Sequence, residues 1–65
     1  MINPGDNFKA IGIDQTIRVI DVLIAGNKIE LVVEIIRNGF MGTHKVFEYL
    51  VEEYLLNEEL YTKLN

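Results

Sequence analysis

Two runs, TIRVIDVLIA at residues 16–25 and KIELVVEII at 28–36, are apolar on most of both faces and are separated only by Gly26-Asn27. β-branched residues dominate both runs, and such side chains suit a pleated, half-buried surface. Glycine at the first corner position takes the positive φ of a type II′ turn, so the two runs predict a hairpin. That corner pairs Ala25 with Lys28, Ile24 with Ile29, Val22 with Leu31 and Ile20 with Val33. One face of the ribbon is then wholly aliphatic: Ile20, Val22, Ile24, Ile29, Leu31, Val33 and Ile35 form the predicted core face. On the other face Val19, Asp21 and Leu23 lie opposite Glu34, Val32 and Glu30, with Ile17 and Ile36 extending its apolar portion.

The flanks carry weaker patterns. Asn3-Pro4-Gly5-Asp6 suits a type II turn, since proline fixes φ at the second position and glycine accepts a positive φ at the third. A strand over residues 8–13 follows, with a bend or bulge expected at Gly12 and a short corner at Asp14-Gln15. Asn38-Gly39 predicts a type I′ corner. Beyond it, residues 40–46 read either as strand or as helix start: Phe40-Met41 can return as a short fourth strand, while Gly42-Thr43 can close it and cap a helix. From Val46 the period changes to three and four, with Phe47, Leu50, Val51 and Tyr54 on one stripe and Glu48, Glu52 and Glu53 off it. Asn57 either breaks this helix, capping a separate last turn that carries Leu60, Tyr61 and Leu64, or lies within one continuous helix. The expected fold is α+β, a single domain over residues 1–65: a three- or four-stranded antiparallel meander followed by a C-terminal amphipathic helix.

Length sharpens the problem. A chain of 65 residues buries only about 60% of its unfolded surface, so its one core is thin. Disulfides, metals or self-association usually reinforce such scaffolds. With no cysteine and one histidine, His44, there is no disulfide framework and no thiolate zinc site, which leaves self-association. The start MINPGDNFK lacks a basic region followed by an apolar stretch, and no run approaches the roughly 18 apolar residues of a membrane span, so a soluble cytoplasmic protein without a membrane partner is expected. The net charge of −4 is uneven. Lys63 is the sole base after residue 45, against Glu48, Glu52, Glu53, Glu58 and Glu59.

Little catalytic chemistry is available. Serine and cysteine are absent, leaving Thr16, Thr43 and Thr62 as hydroxyl nucleophiles and His44 as the only imidazole. Thr43-His44 reads as a helix-start cap beside an exposed histidine, because sequence neighbours seldom point the same way. The carboxylates are dispersed, and residues 39–42, GFMG, lack the lysine of a phosphate loop. The expectation is a non-enzyme with no catalytic residue, no metal ligand and no cofactor. In the predicted register Arg18 and Arg37 share a face; with Lys9 and Lys45 they form a candidate nucleic-acid site, although a net negative chain lacks a broad basic footprint.

The order PGDNFKAIG, TIRVIDV, KIELVVEII-RNG and KVFEYLVEE resembles small SH3-like barrel proteins of phage and prophage genomes over about residues 4–53. Such chains open with a Gly-Asp turn before an aromatic residue, run two long strands and finish near a Phe-x-x-Leu segment. The tail LLNEELYTKLN extends past a barrel's closing element, which favours an open sheet with a helix. The resemblance implies a small regulator or inhibitor of a host nucleic-acid-handling or defence protein.

Two surfaces are expected to do this work. Glu48, Glu52, Glu53, Glu58 and Glu59 beside Tyr49 and Tyr54 would dock on a basic protein partner. Val19, Leu23 and Val32 on the second sheet face, or Leu55, Leu56, Leu60 and Tyr61 in the tail, would meet a second copy in a homodimer. A nucleic-acid-binding transcriptional regulator and a structural subunit of a larger assembly are the alternatives.

Overall fold

Both hairpin corners form where the backbone conformation requires them. Gly26, at φ 65°, joins β2 (Gln15–Ala25) to β3 (Lys28–Arg37). Asn38 and Gly39, at φ 50° and 83°, join β3 to β4 (Phe40–Phe47) in the type I′ geometry that matches strand twist. The Asn3–Asp6 turn forms as well: Asp6 N donates to Asn3 O at 3.1 Å, and the Asp6 carboxylate accepts from Asn3 N at 2.9 Å. It leads into β1 (Asn7–Ala10). The computed structural model describes residues 2–65, with the backbone alone at Ala25.

The sheet is antiparallel and open, with five strands in the order β4-β3-β2-β1-β5. Its fifth strand departs from the expected meander and C-terminal helix. α1 (Glu48–Leu55) lies inside the chain and carries it from one sheet edge to the other, where β5 (Tyr61–Lys63) pairs with β1. Asn57 makes the turn between them. Its carbonyl accepts from Leu60 N and Tyr61 N at 2.9 and 3.0 Å, and its Oδ1 accepts from Glu59 N at 3.0 Å. A continued helix over Leu60, Tyr61 and Leu64 would leave the outer edge of β1 unpaired; the strand satisfies it instead.

Two other boundaries move. β1 ends at Ala10, and Gly12, at φ 88°, lies in the loop before β2. β4 runs through Gly42-Thr43 to Phe47, because β3 offers a partner at every step from Arg37↔Phe40 to Glu30↔Phe47. Thr43 is therefore a mid-strand residue, and Phe47 holds the helix N-cap position with no side-chain cap bond.

The register agrees with expectation from Ala25↔Lys28 to Asp21↔Val32, and then a bulge shifts it by one. Ile20 has no partner, Val19 faces Val33 and Ile17 faces Ile35. A one-residue shift moves every later side chain to the opposite face. Val19 and Ile17 consequently enter the core, which with Ile2, Phe8, Leu31, Val33, Val51 and Leu55 forms one cluster, while Ile20 is 42% exposed. Ile24 and Ile29 keep their predicted pairing but sit exposed near the hairpin tip. Each fully buried aliphatic or aromatic side chain contributes about 1.5–3 kcal/mol, and the core face of the sheet supplies most of them.

Candidate protein-binding surface

The helix has a wider apolar stripe than the sheet can bury. Val51 and Leu55, one turn apart, insert into the core. Leu50 and Tyr54, the adjacent pair at the same spacing, remain 40% and 57% exposed. They form one wall of a groove of about 270 Å³ whose lining also includes Ile17, Val33, Ile35 and Val46. At its end the Gln15 side-chain amide donates to the Tyr61 hydroxyl at 2.7 Å. Among the described residues no carboxylate or base lines this groove, and its lining suits apolar side chains. Tyr54 and Tyr61 also line a second hollow with Ile11, Ile13 and Leu60, which extends the apolar surface past the β1–β2 loop.

The acidic residues surround the helix rather than forming one face. By helical geometry Glu48 and Glu52 flank the buried stripe on the side away from Leu50 and Tyr54, whereas Tyr49 and Glu53 form the outward crest. Glu58 and Glu59 are exposed in the Asn57 turn. Tyr49 stacks on Phe47 with ring centroids 6.0 Å apart and 13° between planes, and Lys28 Nζ sits 5.3 Å from the Phe47 centroid.

The proposed self-association residues do not form a common surface. Val19 and Leu55 are 1% and 4% exposed inside the chain's own core, which leaves them no area to offer a partner. Leu23 and Val32 are half-buried on the outer sheet face, opposite Glu30 and Asp21. Leu56 and Leu60 are exposed beyond the helix, and half-buried Tyr61 bonds to Gln15. β1 extends the sheet alongside β2.

The basic set is split by the bulge. Arg18 faces Glu34 and Arg37 faces Gln15, so the two arginines lie on opposite faces rather than together. Arg18 is ion-paired to Glu34 at 3.2 Å. Lys9 Nζ donates to the Ile13 and Ala10 carbonyls at 2.7 and 3.3 Å. Lys45 is exposed on the outer face opposite Val32. That face also carries Asp21, Glu30 and Glu34, which interrupt any continuous basic track.

Thr43 and His44 are consecutive strand residues and point to opposite faces, as a nucleophile and base working together would not. Among the described residues no group of three or more His, Cys, Asp or Glu side chains is placed to hold a metal ion, and no helix is long and apolar enough to cross a membrane. Ile11 and Ile13 carry no sequence signal of a site; Leu50 and Tyr54 lie on the predicted core stripe, and Tyr54 also stands beside the predicted acidic docking residues. The available signal was an apolar helix stripe broad enough to exceed its cover. Comparison with protein-family models, with curated proteins and with solved structures finds no match.

Proposed function

We propose that the chain is a non-catalytic protein-binding module that takes an apolar, basic segment of a partner protein into the groove between α1 and the sheet. The observation that supports this is the open wall of Leu50 and Tyr54 over Ile35 and Val46. Apolar and aromatic anchors in such a groove supply holding energy at about 25 cal/mol per Å² buried. Glu53 beside the groove and Glu58 and Glu59 beyond it supply a negative field that speeds encounter with a basic partner and selects it. With the resemblance to small phage SH3-like proteins, this reading favours a regulator or inhibitor of a host nucleic-acid-handling or defence protein.

Tagged protein should capture from its native lysate a partner that survives nuclease treatment. Leu50→Asp, or replacement of Glu53, Glu58 and Glu59 by Lys, should abolish capture, while Arg18→Ala with Lys45→Ala should leave it intact. Capture that vanishes with nuclease and follows Arg18 and Lys45 would overturn the reading in favour of nucleic-acid binding. Indifference to both sets would favour a structural subunit.

A further inference from the structure

The two edges of the sheet differ. β5 offers three residues, and a short edge is one way natural sheets avoid pairing with other chains. β4 offers eight, with neither proline nor bulge, and no strand lies beyond it among the described residues. The type I′ turn fixes which of its backbone groups are free. Arg37 and Phe40 flank a two-residue loop and so form a hydrogen-bonded pair. Pairs alternate along an antiparallel ladder, so Gly42, His44 and Val46 turn their N–H and C=O groups towards β3. Met41, Thr43 and Lys45 turn theirs outward, unpaired, and Phe47 turns out its N–H alone, since its carbonyl accepts the first bond of the helix it caps; all four side chains lie on the outer sheet face.

We propose that β4 pairs antiparallel with β4 of a second copy, joining two five-stranded sheets into one about a two-fold axis at His44. A two-fold perpendicular to the sheet keeps outer face with outer face, which confines the pairing to registers centred on a residue. Centring on His44 engages all four outward residues of each strand, for about six hydrogen bonds, because the Phe47 carbonyl is held by the helix. It sets Met41 opposite Phe47 and Thr43 opposite Lys45, each twice. Centring on Thr43 gives as many bonds but sets Met41 against Lys45 and leaves Phe47 without a partner, so the side-chain pairing favours His44.

Charge also favours a second copy as the occupant. Arg18, Glu34 and Thr43 lie in one row across β2, β3 and β4. Lys45 of the second copy would extend that row within reach of Glu34, so the signs alternate along it. Met41, 67% exposed, would gain the Phe47 ring of the second copy. Both helices would lie on the same side of the joined sheet, leaving both grooves open. The inference rests on the strand edge and not on the groove.

The chain has no cysteine, so single replacements report the register cleanly. In a non-hydrogen-bonded antiparallel pair the Cα atoms are about 4.5 Å apart, within disulfide reach. His44→Cys should give a covalent dimer on mild oxidation. Thr43→Cys should not, because each Thr43 faces Lys45 and its own counterpart lies diagonally beyond reach. Thr43→Pro removes only an outward N–H, so the chain should keep its circular dichroism spectrum yet sediment at 7.5 kDa, against twice that for the parent. A parent that sediments at 7.5 kDa, cross-linking at 43 instead of 44, or a folded Thr43→Pro dimer would overturn the proposal. If the proline variant unfolds, the cysteine pair decides. Partner capture enters none of these readouts, so they separate this pairing from the groove's function.

Discussion

Val19 faces Val33 across the central strands, although the hairpin corner at Gly26-Asn27 counts Ile20 into that place. The slip occurs where β2 serves two neighbours at once. Val19 N donates to Asp6 O at 2.9 Å, and Val19 O accepts from Gly5 N at 2.8 Å, so the N-terminal turn is fastened to the bulge. The extra residue places Val19 in the core and expels Ile20.

The first prediction follows from that exchange. Val19→Ala should cost about 2 kcal/mol by loss of buried methyl groups and the cavity left behind. Ile20→Ala should change stability by less than about 0.5 kcal/mol. Urea denaturation of the two variants gives the order, and the reverse order would mean an unbroken ladder.

Deleting Ile20 should be tolerated, which is unusual for a deletion inside a strand. Removal leaves Asp21 facing Val32 and Val19 facing Val33 as successive pairs, so no side chain changes face. The expected loss is about 1 kcal/mol or less, from the altered bend. Cross-strand nuclear Overhauser contacts between Val19 and Val33 should persist.

Tyr61→Phe removes the acceptor of the 2.7 Å bond from Gln15 at the end of the groove. The expected cost is about 0.5–1.5 kcal/mol. A double-mutant cycle with Gln15→Ala should give a coupling of the same size, and additive losses would show that the two groups act independently.

Arg18→Gln should destabilise by less than about 1 kcal/mol, since the Arg18 side chain is 53% exposed and its pairing with Glu34 is screened by water. The difference should shrink further at about 1 M salt. Thermal unfolding at two ionic strengths measures both; an undiminished effect at high salt would show that packing of the arginine stem carries the interaction.

The turns were legible in the sequence because each depends on a local conformation: Gly5, Gly26 and the Asn38-Gly39 pair all have the positive φ their positions demand. The bulge was not. Val19-Ile20-Asp21 contains no glycine or proline, and the N-terminal turn fixes the slip from a distance. The tail was misread because Leu60, Tyr61 and Leu64 fit a helical spacing, while the deciding factor, an unpaired edge on β1, belongs to the tertiary structure. The acidic character of residues 48–59 was plain. The groove was not, since it depends on how much of the sheet the helix leaves uncovered.

The crossing helix has a consequence for the order of assembly. Ile24 meets Ile29 across a tight corner, whereas Phe8 meets Lys63, more than fifty residues further along the sequence. Closing a long loop costs more entropy than closing a hairpin, and distant pairings form late. Folding should spread from the central ribbon outward, and the final seam joins the first strand to the last. A nascent chain that has not yet reached Tyr61 therefore presents β1 as a bare edge beside a finished hairpin, and for that interval β1 is its adhesive side.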